Sequence, residues 1–309
     1  MALIESVFSS SGPFIITFRE ALEATLIVGI IAAYLDKTGR APLKKYLWLG
    51  SGAALLLSVV LGLMLAAIYG GLSGPAEKLF EGTASVTATA VLTYMIFWMA
   101  KHSHKIKEEL QNKVNIAVTR GDMLGIAMLS FVVIIREGIE TVLFLVALAT
   151  IDATATMLGL VLGIASVLVI SYLMFRGFYR LNIKKFFQYT SILLLVFAAG
   201  LLGYGIHEYI EAAEAYGIDA GFLGSQAFNI NPADTAHPLH EKGAIGSILK
   251  TLFGYDGNPE WLRVFTYLGY WIIIGAFLLR TYKPGHPFLR YIGMQNGTSA
   301  SGKTIVKKR

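Results

Sequence analysis

Long runs of apolar residues, almost free of charge, dominate the 309-residue chain, and no other feature restricts its fold as much. A helix of about 20 such residues crosses roughly 30 Å of hydrocarbon. In lipid only helices and closed barrels satisfy every backbone polar group. Runs of the required length lie at about 13–35, 46–70, 84–100, 123–149, 155–176, 187–209 and 262–280. They predict an all-α, polytopic membrane protein with seven transmembrane helices. Hydrophobic residues make up 55% of the chain and charged residues 15%, against about 25% charged in an ordinary soluble domain. Disorder and a soluble globule are both excluded on that count.

The net charge of +6 does not mark a nucleic-acid partner, because the basic residues fall between the apolar runs. Lys37, Arg40, Lys44 and Lys45 follow the first run, and Lys101, Lys105, Lys107, Lys113 and Arg120 follow the third. Arg176, Arg180, Lys184 and Lys185 follow the fifth, and seven more basic residues follow from Arg280 onward. The second connection holds only Lys78 and the fourth none, while the long sixth sets Lys242 and Lys250 against seven carboxylates. This alternation predicts an external N-terminus and a cytoplasmic C-terminus. The first eleven residues carry no Lys or Arg, so the first run is expected to be a retained span and not a signal peptide. The absence of Cys excludes disulfides and thiolate metal sites.

Two runs carry charges that a spanning helix does not need. The first contains REALE at 19–23 and the fourth REGIE at 136–140. Aligning Arg19 with Arg136 brings Glu20 onto Glu137 and Glu23 onto Glu140. The copies lie three spans apart, and an odd offset reverses the direction of travel. Spans 1–3 and 4–6 are therefore expected to form a 3+3 inverted repeat, with span 7 as an additional helix. Within each motif the carboxylates are three residues apart, on one helix face, and the arginine is four before the second of them. Six ionised groups would sum to −2, which hydrocarbon does not tolerate without water, a counter-charge or a cation. Glu20, Glu23, Glu137 and Glu140 together offer oxygen ligands that suit a hard cation, with Arg19 and Arg136 in support. A helix-packing lock built from each Arg–Glu pair is the competing explanation for a single copy. Two copies at matching depth favour ion binding.

The chain reads as one transmembrane domain over 1–281 and a basic cytoplasmic tail over 282–309, whose charge suits anionic lipid. The loop at 210–261 is the only large one. It opens by continuing the sixth run through EYIEAAEAYG and later contains GAIGSILKTLFG, which reads as a short amphipathic helix at the interface. His207, Glu208, Glu211 and Glu214 form an acidic stripe at the external mouth, either a cation-collecting vestibule or a plain solvated helix. Asp234, His237, His240 and Glu241 are close enough in sequence to bind a transition metal, though Pro238 breaks any helix that would align them. His102 and His104 lie in a basic cytoplasmic stretch and read either as an exit site or as a plain solvated loop. Ser85, Thr87, Thr89, Thr93 and Tyr94 on span 3 suit helix packing or a polar lining, and Trp98 reads as an interfacial anchor.

At its two charged motifs the sequence resembles the oxidase-dependent iron transporter family, which includes the fungal high-affinity iron permease and the bacterial elemental-iron uptake permease. The family signature R-E-x-x-E is complete twice. TYMIFWMAKHSHKIKEEL at 93–110 and LFGYDGNPEWLRVFTYLGYW at 252–271 also resemble family segments, so the likeness extends from about residue 10 to 282. The resemblance implies a permease in the bacterial or archaeal plasma membrane that moves iron ions, Fe³⁺ or Fe²⁺, with no organic cofactor. Glu20, Glu23, Glu137 and Glu140 would be its ligands or relay groups. A ferroxidase or periplasmic iron-handling protein is an implied partner. A homo-oligomer is compatible with small-residue stretches such as GLVLGIAS. The alternatives are a permease for another divalent metal (Mn, Pb) and a membrane carboxylate-metal oxidoreductase. The second lacks the Glu-x-x-His pattern of a ferritin-like di-iron site in its spans.

Overall fold

In the computed structural model the described residues are 9–102, 106–119, 123–175, 183–234, 237–241 and 243–281. His104, Arg120, Arg176, Arg180, Lys242 and the tail over 282–309 lie outside them. The described chain is all-α, with one isolated bridge between Gln226 and Glu260. In chain order the helices are α1 (Ser11–Lys37), α2 (Lys44–Gly70), α3 (Pro75–His102), α4 (Ile106–Thr119) and α5 (Met123–Ala149). They continue with α6 (Ala153–Phe175), α7 (Ile183–Ala215), the four-residue α8 (Gly221–Gly224), α9 (Ala244–Phe253) and α10 (Trp261–Thr281).

Local chemistry sets several boundaries. Pro13 falls in the first turn of α1, where its missing N–H costs nothing, and Gly39 (φ 71°) lies just past that helix. Pro75 opens α3, its fixed φ suiting a first helical position. Gly254 (φ 68°) ends α9 in the left-handed conformation that favours glycine.

Four helical segments are long and apolar enough to cross a membrane: Ala41–Gly70, Pro75–Met99, Ala153–Met174 and Tyr189–Ala215. The motif helices α1 and α5, at 27 residues each, reach about 40 Å at 1.5 Å per residue. Length is not what sets them apart. Their clustered charges are, and all of those but the half-exposed Arg136 are turned inward. α2 by contrast exposes Leu55, Leu56, Val59, Val60 and Leu63, and such contiguous apolar surface belongs in lipid. The protein is a multi-pass membrane protein.

The tightest packing joins α2 to α5, α3 to α7 and α1 to α6, with α1 also against α5. Glycines permit these approaches. A Cβ on Gly50 of α2 would overlap the backbone of Ala127 in α5, and one on Gly159 of α6 would lie 2.8 Å from the Ser10 carbonyl oxygen before α1. Ala127 and Ser10 hold the same register, nine residues before Arg136 and Arg19. Gly82 of α3 and Gly205 of α7 each lean on the other's carbonyl oxygen. The buried apolar residues form two separate clusters. One contains Ile16, Leu92, Met95, Phe144, Phe197 and Leu201. The other contains Ile31, Leu35, Leu47, Leu110, Val114 and Ile126.

One element differs from the sequence reading. The connection over 101–122 contains a helix, α4, because Leu110 and Val114 bury one face in the second cluster while Glu108 stays exposed. The short amphipathic helix does form as α9, and it packs on α7 and α1. Gly254 meets Gly200 of α7, and Thr251 meets Gly12 of α1.

Candidate metal centre

Both charged motifs sit mid-helix, where 3.6 residues per turn bring positions three and four apart onto one face. On α1, Arg19 is fully buried. Its Nη1 donates to Glu20 Oε1 at 2.8 Å and to Met95 Sδ of α3 at 3.2 Å, and its Nη2 lies 2.8 Å from Glu23 Oε1. On α5, Arg136 Nε donates to Glu140 Oε1 at 2.9 Å. Its guanidinium lies 4.4 Å from the ring centroid of Trp98, a cation–π contact. Trp98 therefore serves the charged layer from α3, where the sequence suggested only an anchor at the membrane surface.

The packing of α1 against α5 brings the copies together. Ligand oxygens of Glu20, Glu23 and Glu137 all lie within 4.8 Å of one another, and all three residues are buried. Glu140 stands outside that group, held by Arg136. Among the described residues, Oε2 of Glu20, Glu137 and Glu140 has no hydrogen-bond donor although each is buried. Two like charges 4.8 Å apart repel by roughly 3–4 kcal/mol at an effective dielectric constant near 20. Three ionised carboxylates at such range are held together only if protons or a cation supply the missing positive charge. Three facing oxygens fit a hard cation.

A second cluster lies where α3 begins and α7 ends. His207, Glu208 and Glu211 could share one ion, but a lysine already stands among them. Lys78 Nζ lies 2.9 Å from Glu208 Oε2, 2.7 Å from Glu211 Oε2 and 3.5 Å from Glu81 Oε2. Tyr69 donates its hydroxyl to Glu81 Oε1 at 2.6 Å, and His207 Nδ1 lies 2.7 Å from Glu260 Oε1. Burial pushes the Glu260 carboxyl up, but the hydrogen bond and charge of His207 outweigh it and hold the group below its usual value. The stripe on α7 is legible in sequence; Lys78, Glu81, Tyr69 and Glu260 are not, since they arrive from other elements. Glu81, three residues after Lys78, is the one local signal that could have pointed to them.

Asp234, His237, His240 and Glu241 are not gathered into one ligand shell. His240 is buried and His237 exposed, and His237 Nδ1 accepts from the Leu239 N–H at 3.2 Å. On α3, Ser85 and Thr89 face α7, where Thr89 Oγ1 donates to the Ala198 carbonyl at 3.2 Å. Thr93 shares a 3.0 Å hydrogen bond with Tyr270, and Tyr94 is exposed. These polar residues fasten helices together.

The chain matches the iron permease FTR1 family over residues 10–281. It is 39% identical over 271 residues to an uncharacterized protein of Archaeoglobus fulgidus, covering 88% of this chain and 95% of that one. A ferrous iron permease, EfeU, from a strain of Escherichia coli is 35% identical over 271 residues, covering 86% and 95%. The EfeU of Yersinia pseudotuberculosis is 34% identical over 276 residues, covering 88% and 93%. No solved structure matches. A match across nearly the whole chain, with paired carboxylate motifs buried in apolar helices, leads to one conclusion: the protein belongs to the FTR1 family of iron permeases and is a membrane transporter, not an enzyme.

Proposed function

We propose that the protein carries iron ions into the cell across the plasma membrane, through a midplane site built by its two R-E-x-x-E segments. The observation that carries this reading is the meeting of Glu20, Glu23 and Glu137 within 4.8 Å. All three are buried, and among the described residues Glu20 and Glu137 each keep an oxygen without a hydrogen-bond donor. Glu140 joins as a fourth ligand when Arg136 lets it go. The relatives named as ferrous iron permeases favour Fe²⁺ as the form carried. A periplasmic iron-handling protein would then act upstream, whereas a ferroxidase would belong upstream only of an Fe³⁺ carrier.

In this reading α1, α2, α3, α5, α6, α7 and α10 are the seven spans of one domain over 1–281, with the N-terminus outside and the C-terminus in the cytoplasm. α1–α3 and α5–α7 form the inverted repeat. Exchanging the two halves turns the α2–α5 packing into the α6–α1 packing and leaves α3–α7 and α1–α5 unchanged, in keeping with the pairs that pack most tightly. The matched register of Gly50 on Ala127 and Gly159 on Ser10 supports the same symmetry. α10 falls outside it.

The test is uptake of radioactive iron into proteoliposomes containing only this protein, with iron held as Fe²⁺ or as chelated Fe³⁺. Glu20→Gln, Glu23→Gln and Glu137→Gln are each expected to lower uptake at least tenfold, with Fe²⁺ the better substrate. Wild-type uptake in folded Glu137→Gln protein would remove the carboxylate site from the path.

A further inference from the structure

α3 and α5 turn outward a face that hydrocarbon does not suit. On α3, Thr83, Thr87, Ala90 and Tyr94 are all exposed and follow one another at steps of four, three and four, within a sector of about 60°. On α5, Met128, Val132 and Ile139 are exposed, and Arg136 beside them keeps 40% of its side chain exposed. Thirteen residues of α5 precede Arg136 and thirteen follow it, about 20 Å to either end. A snorkelling side chain does not span that distance.

The two helices bring these polar groups to nearly one depth. Trp98 lies against the Arg136 guanidinium, and Tyr94 precedes Trp98 by four residues, about 6 Å along α3. Tyr94 is 68% exposed. Membranes keep Trp, Tyr and Arg near their surfaces, yet here all three meet halfway along α5. Arg136 already donates its Nε to Glu140, so its other N–H groups call for a neutral acceptor or an aromatic face and not for another carboxylate. Tyr94 is both, through its phenol oxygen and its ring. The face thus carries a donor and its complement side by side.

We propose that this face is a homodimer interface, where a second copy of the chain shields Arg136 and Tyr94 from hydrocarbon. A two-fold axis along the membrane normal keeps every residue at its depth and makes each contact twice. It sets Tyr94 of each copy against Arg136 of the other. Thr87 and Ala90 are small enough to let α3 approach its own copy there. The guanidinium groups stand to either side of that seam, so like charges do not meet. The inference stands on the membrane architecture and not on the ion carried.

The chain contains no cysteine, so introduced cysteines report without background. Water reaches a half-exposed guanidinium in a detergent micelle, so the full-length protein is read in proteoliposomes. With copper phenanthroline, Thr87→Cys and Ala90→Cys are each expected to give at least fivefold more disulfide-linked dimer than Leu56→Cys on α2 and Leu168→Cys on α6, which are exposed elsewhere. Wild-type protein labelled at its C-terminus and diluted in lipid should photobleach in two steps. Tyr94→Leu should weaken that dimer at least tenfold, and Tyr94→Phe, which keeps the ring, should weaken it less. Cross-linking no greater at Thr87 and Ala90 than at the controls would overturn the interface, as would single-step bleaching at every dilution. A dimer that Tyr94→Leu leaves unchanged would overturn the pairing with Arg136. Cross-linking in native membranes to a different protein, with the purified chain monomeric, would give the face to another partner and overturn the second copy.

Discussion

The two arginines at the charged layer are the same residue in sequence and different residues in energy. Arg19 is completely enclosed and divides its guanidinium among Glu20, Glu23 and the Met95 sulfur. Arg136, with its side chain 40% exposed, has one carboxylate and the face of Trp98. Removing one partner of a buried ion pair strands the other, at a cost of about 3–5 kcal/mol, while a half-exposed pair is worth about 1 kcal/mol or less. Arg19→Ala is therefore expected to lower the thermal unfolding midpoint in detergent far more than Arg136→Ala, and equal shifts would contradict this asymmetry. Arg19→Lys should rescue only in part, because one ammonium lacks the planar fork whose separate nitrogens reach Glu20 and Glu23. The asymmetry also leaves Glu140 as the carboxylate whose partner can move.

At the scale of elements, glycine contacts decide how closely the motif helices are clasped. Gly50 and Gly159 sit against the backbones of Ala127 and Ser10, where a side chain has no room. Gly52, on the same helix as Gly50, meets nothing within 4 Å. Overpacking a tight contact costs about 1–3 kcal/mol, and more when backbone must move. Gly50→Val and Gly159→Val should each reduce the thermal midpoint of the purified protein and iron uptake, with Gly52→Val close to wild type in both. A harmless Gly159→Val would mean that the α1–α6 clasp does not hold the site together. The helices themselves were legible from apolar run lengths. α4 was not, because most of its residues are polar and only the second apolar cluster gives its Leu110–Val114 face something to bury against.

Across the whole molecule, one ion pair ties the large loop to the helix bundle through Glu260 and His207. The Glu260 carboxyl is held below its ordinary value, so its contribution is fully present above the usual carboxylate pKa of about 4.3. It is lost only as pH falls through the still lower folded value. Limited proteolysis of the 210–261 loop should accordingly be slow at pH 7 and no faster at pH 5. Glu260→Gln should be cut several-fold faster across that range, and a loop equally resistant in both proteins would show that the tie bears no load.

The sequence by itself determined the class of fold and the chemistry at its centre, for a physical reason. Hydrocarbon tolerates neither unpaired backbone nor unpaired charge, so long apolar runs must be helices and two R-E-x-x-E segments inside them must face one another or a cation. What a carboxylate touches across the bundle depends on how helices distant in sequence are rotated and spaced, and no local pattern encodes that. Only the tertiary structure decided that Glu20, Glu23 and Glu137 converge while Glu140 is held by Arg136. Only the tertiary structure brought Lys78 from α3 into the acidic stripe of α7 and laid Trp98 against Arg136. It also left Asp234, His237, His240 and Glu241 without a common centre, because neighbours in a loop share a ligand shell only when the backbone turns their side chains to one point.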